Sequence, residues 1–233
     1  MISAKLRDFQ EEISLVCSQL GRDPDDIILV GATKYAEADA VLEAVKAGLC
    51  HVGENRVQDA QRKFSALKQA PHEVTKHFIG HLQSNKVKSA VEEFDLIQSV
   101  DSVKLVELIE KYASRLKKTV DILIQVNVSG EEQKFGVAPE EADALLEEAA
   151  SCEHIRVWGL MTIAPFTGDA DMVRSCFKGL KAMYDRYAEI YQEHIRVRMS
   201  VLSMGMTDDY VIALEEGANM VRIGTKLFGE RVY

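Results

Sequence analysis

Short apolar runs, each followed by a segment with helical spacing, recur along the whole chain. The runs fall at residues 27–30, 49–53, 77–80, 96–100, 120–128, 155–163, 201–205 and 220–224. Runs this short, rich in β-branched residues and bounded by turn residues, read as strands buried on both faces. Segments 36–48, 54–69, 103–116, 169–192 and 210–216 read as helices between them, with a short helix ending near 87 and another opened by Pro139. Strands that alternate with helices pair in parallel and need helices on their outer faces. Eight units of about 25 residues each predict a single (β/α)8 barrel domain over residues 1–233. Residues 2–20 place Leu6, Phe9, Ile13, Val16 and Leu20 on one face and add an extra N-terminal helix. A doubly wound open sheet is the alternative, but no GxGxxG follows the first strand.

In such a barrel, chemistry gathers at the C-terminal ends of the strands. Those ends carry Lys34, Glu54-Asn55, His81, Ser99, Asp101, Asn127, Met161-Thr162, the run SMGMT at 203–207 and RIGT at 222–225. Lys34 stands where the first strand ends. An amine there, walled by apolar neighbours, loses hydration and becomes a nucleophile toward a carbonyl. SMGMT and RIGT each join a glycine, Gly205 or Gly224, to hydroxyl residues, Ser203 and Thr225 among them, just before a helix or turn. Exposed backbone N–H groups at such places suit a phosphate, and barrels commonly hold phosphate after these two strands. A reactive lysine facing a phosphate site fits a phosphorylated aldehyde held as an imine. Both a class I aldolase and a pyridoxal phosphate protein meet that description.

Other polar residues have plainer readings. His81 reads as a loop histidine, Lys86 and Lys134 as surface charges, and Glu54 as a charge favourable near a helix N-terminus. Met161, Met204 and Met206 read as pocket packing. The net charge of −9, from 28 basic and 37 acidic residues, argues against a nucleic-acid partner. The four cysteines are isolated, which suggests neither a metal site nor disulfides but reduced thiols in a cytosolic protein. The N-terminus lacks the apolar core of a signal peptide, and no run is long enough to span a membrane.

Seven blocks, GATKYAEADAV, HVGENRVQDA, HFIGHLQSNK, QVNVSGEEQKFG, VWGLMTIAP, LSMGMTDDY and VRIGTKLFGER, occur in order between residues 27 and 231. Together they resemble the YggS/PROSC family of pyridoxal phosphate homeostasis proteins, itself similar to the N-terminal barrel of alanine racemases (fold type III). The resemblance implies pyridoxal 5'-phosphate as cofactor, with Lys34 forming the imine. It further implies Arg222 at the pyridine nitrogen, Ser203, Gly205, Gly224 and Thr225 around the phosphate, and Asn55 lining the pocket. Tyr35-Ala36 departs from the Thr-x-Pro expected after the reactive lysine of many members.

The implied role is to bind, carry and buffer the cofactor inside the cell, without established turnover and with no catalytic residues assigned. Pyridoxal-phosphate-dependent apo-enzymes are the candidate recipients, and a cytoplasmic monomer is expected. An amino-acid racemase is the competing expectation, with a second base such as His81 supplied from within the barrel. Two features argue against it. The racemases take that base from a further C-terminal domain, whereas this chain ends just after the eighth-strand motif. Arginine cannot accept a proton, so the pyridine ring stays unprotonated and drains electrons weakly.

Overall fold

The computed structural model of the chain describes residues 2–131 and 133–229. Its strands are β1 (Ile28–Ala32), β2 (His51–Glu54), β3 (Thr75–Phe78), β4 (Leu96–Val100), β5 (Val120–Gln125), β6 (Ile155–Met161), β7 (Val197–Ser203) and β8 (Met220–Ile223). The helices are α1 (Ile2–Leu20), α2 (Ala38–Lys46), α3 (Val57–Phe64), α4 (Val87–Glu93), α5 (Val103–Leu116), α6 (Ala142–Ser151), α7 (Ala170–Ile190), α8 (Tyr210–Glu215) and the short α9 (Thr225–Phe228). The strands pair in sequence order, all parallel, and β8 closes on β1 with Val30 opposite Arg222. The expected barrel is therefore present. Its extra helix α1 buries Leu6, Phe9, Ile13 and Cys17 and packs against α2, α8 and α9.

Two layers of core follow from the alternation of side chains along each strand. Outward residues such as Val52, Phe78, Ile97 and Ile122 meet the helices in one continuous apolar layer. Inward residues Val30, Leu96, Leu123, Met161, Val201 and Met220 fill the barrel, as closed barrels of this size require. The β6–β7 contact is tight at Gly159. Its φ is +148°, and an added Cβ would lie 1.8 Å from the Val201 carbonyl oxygen, so only glycine fits.

Several element ends differ from the sequence expectation. β5 stops at Gln125 rather than 128, because Val126 turns out to bridge Val137. β7 starts four residues before the apolar run, at Val197, where exposed Arg198 and Ser200 interrupt the apolar pattern. α3 begins at Val57 rather than 54, because Glu54 is the last residue of β2. Among the described residues, no helix is long and apolar enough to cross a membrane. No cluster of three or more histidines, cysteines or carboxylates could hold a metal there. Cys17, Cys152 and Cys176 are buried free thiols and Cys50 an exposed one.

Candidate functional site

At the C-terminal ends of β1 and β2 a buried knot of polar groups fixes the turn that carries Lys34. The Glu54 carboxylate is fully buried, and Lys63, reaching in from α3, is only 1 % exposed. Lys63 Nζ donates to Glu54 Oε2 at 2.6 Å and to the Thr33 carbonyl at 2.5 Å. The Thr33 hydroxyl donates to the same carboxylate at 2.8 Å, and the Asn55 amide donates to its other oxygen at 2.9 Å. One ion pair thus joins the residues just before Lys34 and Asn55 to α3. A buried carboxylate needs such a set of partners, since a lone ion in this position is strongly disfavoured. Glu54 is therefore a structural anchor rather than charge at a helix start, and Lys63, which the sequence hides in a polar helix, is its partner.

Above this knot lies a cavity of about 320 Å³. Lys34, Asn55, Arg222, Gly224 and Thr225 all line it, together with Tyr35, Ile79, Ile163, Met206, Thr207 and Phe228. Five of the seven expected site residues are thus brought together. Lys34 departs from expectation in one respect. Its side chain is exposed, not walled by apolar neighbours, because it sits in the turn two residues beyond the end of β1. Its ammonium lies 4.9 Å from the centre of the Tyr35 ring. The lysine also borders a second, more polar cleft with Arg56, His81 and Lys86.

The other two expected residues lie deeper. Ser203 is fully buried on the inward face of β7, where its hydroxyl accepts from Arg222 Nη1 at 2.6 Å and donates to Gln98 Oε1 at 2.7 Å. It stands beneath the arginine and not on the cavity wall, because its short side chain points into the barrel below the Arg222 guanidinium. Gly205 is also off the wall. With φ at +95°, it lets α8 approach, for an added Cβ would lie 2.5 Å from that of Ala213. Its carbonyl accepts from the Arg222 backbone amide at 3.0 Å. The hydroxyl that takes their place is Thr207, 3.1 Å from the Thr225 hydroxyl across the β7 and β8 loops. The sequence quoted this residue in SMGMT but offered no sign that it, rather than Ser203, reaches the cavity.

Arg222 is 4 % exposed. Its second terminal nitrogen donates to the Thr162 carbonyl at 2.8 Å. Burial pulls its pKa down to about 10, against the pull of the nearby Asp209 charge, so it remains a cation at neutral pH. Below it the polar file continues. Gln98 Nε2 lies 2.9 Å from His77 Nδ1, and His77 Nε2 lies 3.0 Å from His51 Nδ1. Burial pushes His77 down to about 3 and lowers His51 as well.

The remaining candidates lie elsewhere. His81 is exposed and stacks on Phe135 at 3.8 Å, outside the cavity lining. Asn127 is used within its own loop, donating to the Glu131 carbonyl at 2.9 Å. Lys134 pairs with Glu131 at 3.0 Å, and Lys86 borders the polar cleft. Met161 and Met204 are buried packing, whereas Met206 lies exposed at the cavity mouth.

Comparison with known proteins follows the same lines. The family model described as "Alanine racemase, N-terminal domain" matches residues 13–232. A protein of Aquifex aeolicus (strain VF5) named pyridoxal phosphate homeostasis protein is 42 % identical over 223 residues, covering 96 % of this chain and 95 % of that protein. The crystal structure of an unknown protein from Bifidobacterium adolescentis superposes with a TM-score of 0.90 at 33 % identity, covering 97 % and 94 % of the two chains. PipY of Synechococcus elongatus PCC7942, solved with PLP bound, superposes with a TM-score of 0.82 at 34 % identity, covering 98 % and 100 %.

Two outcomes are expected from the buried polar groups. Lys63→Met leaves the Glu54 carboxylate without its cation and should cost about 3–5 kcal/mol in urea unfolding. The double variant Glu54→Gln/Lys63→Met should recover much of that loss. His77 has a folded pKa of about 3 against 6.5 when free, so the unfolded chain takes the proton first as pH falls. Its contribution to stability is complete above about pH 6.5 and is lost toward pH 3, at up to ~1.4 kcal/mol per pH unit. Unfolding free energies measured between pH 7 and 4 should therefore fall more steeply for the wild type than for His77→Gln.

Proposed function

The chain belongs to the alanine racemase N-terminal-domain family and, within it, to the pyridoxal phosphate homeostasis proteins, and from this we propose that it binds pyridoxal 5'-phosphate in the cavity at the top of the barrel. The observation that carries the reading is the convergence of one free-standing lysine, one buried arginine and two facing threonine hydroxyls on a single 320 Å³ cavity. Each matches a different part of the cofactor. Lys34 offers the amine that joins its aldehyde as an imine. Thr225 and Thr207, with backbone N–H groups at Gly224, offer hydrogen bonds to its phosphate. Arg222 faces the ring nitrogen, and Ile79, Ile163 and Met206 give apolar walls for the ring. Asn55 stands beside the lysine on the same wall. When bound, pyridoxal phosphate supplies an electrophilic carbonyl carbon and, if its ring is protonated, an electron sink.

The residues present favour holding over turnover. Arg222 has only N–H groups to offer, so it donates to the ring nitrogen and leaves it without a proton. His81, the second base that a racemase would need, stands outside the cavity lining, stacked on Phe135. We therefore read the protein as a cytoplasmic carrier and buffer in pyridoxal phosphate homeostasis. The cavity mouth, ringed by exposed Tyr35, Ile163, Phe166 and Met206, is the face through which apo-enzymes would be served by a monomer.

The purified protein mixed with pyridoxal phosphate should turn yellow, and borohydride should fix the label on the peptide containing Lys34. Label found chiefly on Lys63, Lys86 or Lys134 overturns the assignment. Thr225→Ala removes one hydrogen bond to a charged group and should weaken cofactor binding by about 1.5–3 kcal/mol, roughly ten- to a hundredfold in Kd. Pyridoxal, which lacks the phosphate, should bind wild type and variant about equally; an equal loss for both ligands would place the phosphate elsewhere.

A further inference from the structure

Among the described residues, one continuous file of hydrogen-bonded groups crosses the barrel interior between the apolar side chains. It runs from Arg222 on β8 through Ser203 on β7, Gln98 on β4 and His77 on β3 to His51 on β2. Gln98 is fully buried, His77 is 1 % exposed, and neither lines the cavity. An amide in such a place is costly unless both its ends are bonded. Here both are, and the Nε2 group also lies 3.2 Å from Met220 Sδ, two residues before the arginine on the same strand.

The directions of these bonds are fixed from the arginine end. A guanidinium donates and never accepts, so the Ser203 oxygen must accept from it. The single Ser203 proton then goes to Gln98 Oε1. That turns the Gln98 NH₂ group toward His77 Nδ1, which must accept. His77 accordingly carries its proton on Nε2 and gives it to His51 Nδ1, leaving the His51 proton on Nε2. Reversing the Gln98 amide would set its oxygen against a bare ring nitrogen, unless the His77 proton moved to Nδ1. Each member therefore holds the next in one orientation.

We propose that Gln98 is the positioning residue for Arg222, and that the interior file of Ser203, Gln98, His77 and His51 holds the guanidinium in register with the ring nitrogen of the bound cofactor. The role assigned to the arginine rests on the pyridoxal phosphate reading above. The positioning itself is a property of the ligand-free chain. Without Gln98, the Ser203 hydroxyl loses its acceptor and is free to rotate. The guanidinium then keeps Thr162 but is drawn toward the Asp209 charge, which already acts on it. Gln98→Met fills the same space without either hydrogen bond. Gln98→Glu, kept neutral by burial, can reproduce both, with its carbonyl toward Ser203 and its O–H toward His77.

The test has two arms. In the ligand-free protein, ¹⁵N spectra should show wild-type His77 as the Nε2–H tautomer and the Arg222 guanidinium protons protected from exchange. Gln98→Met should give mixed tautomers and at least tenfold faster guanidinium exchange, whereas Gln98→Glu should behave like the wild type. In the loaded protein, affinity for pyridoxal phosphate is compared with that for its 1-deaza analogue, in which a C–H replaces the ring nitrogen. Gln98→Met should lose about tenfold of the wild-type preference for pyridoxal phosphate, and Gln98→Glu should keep it. A general loss of stability would weaken both ligands alike. If Gln98→Met leaves guanidinium exchange and tautomers unchanged, or keeps the full ligand preference, the proposal is overturned. If the wild type fails to load at all, the cofactor reading falls, and with it the register to the ring nitrogen, while the ligand-free arm still decides whether Gln98 positions Arg222.

Discussion

A charged guanidinium buried inside the barrel is the constraint that the upper half of this structure answers. A buried cation left without partners is disfavoured by several kcal/mol, so Arg222 dictates what its neighbours must be. Ser203 and the Thr162 carbonyl lie within 2.8 Å of it. Through Ser203 the requirement passes to Gln98 and on to His77. The same residue helps to join β7 to β8. β7 and β8 share a single registered pair, Ser203 with Met220, fewer than their neighbours. Side chains supply what the ladder lacks. Asn219 bonds Leu202 and Ser200 of β7, each at 2.7 Å, and the Arg222 backbone amide reaches Gly205 at 3.0 Å. The β7–β8 seam and the floor of the cavity are one construction.

The buried Glu54–Lys63 pair plays a matching part beside the neighbouring strands β1 and β2. It fixes the turn that carries Lys34 without touching the lysine itself. Arg222 and Lys34 then approach one cavity from two separately anchored sides, β8 with β7 and β1 with β2. Rigid support of this kind holds a site within a few tenths of an ångström of its working geometry. Both anchors draw on the loop residues next to the strand ends, Thr33 and Asn55 on one side and Thr162 and Gly205 on the other, and the side chains beyond them lie outside both sets of bonds. Tyr35-Ala36, the departure from Thr-x-Pro noted in the sequence, falls in such a place.

Much of this was legible in the sequence because apolar runs and turn residues report burial directly. Seven strand starts lie within two residues of the apolar runs, and the lysine, asparagine, arginine, glycine and threonine of the cavity were all found at strand ends. What stayed hidden depended on direction. A hydroxyl beside a glycine looks like a phosphate ligand in either orientation, so Ser203 was placed at the loop although its strand position points inward. Parity along β7 could have warned of this, since Val201 and Ser203 share a face. Lys63 and Gln98 were hidden for a different reason. A lysine in a polar helix and a glutamine in a strand look like surface residues until a partner is seen, and their partners are 9 and 21 residues away. The early start of β7 was missed because the lower half of that strand carries exposed polar residues that break the apolar run.

The exposure of Lys34 bears on what kind of protein this is. An enzyme that uses a lysine-bound cofactor gains by enclosing it, because water and stray amines compete for the same carbon. Here the lysine borders three openings, the apolar cavity, a cleft with Arg56, His81 and Lys86, and another with Glu37, Asp59 and Arg62. Phe166 at the rim is 98 % exposed. On the reading proposed above, a group held in this cavity would be anchored at its ring nitrogen and phosphate, while its attachment to Lys34 would stay within reach of solvent. Firm recognition joined to an accessible covalent link suits storage and release better than turnover. The division follows from where the burial lies, with the arginine sealed inside the barrel and the lysine left on its lip.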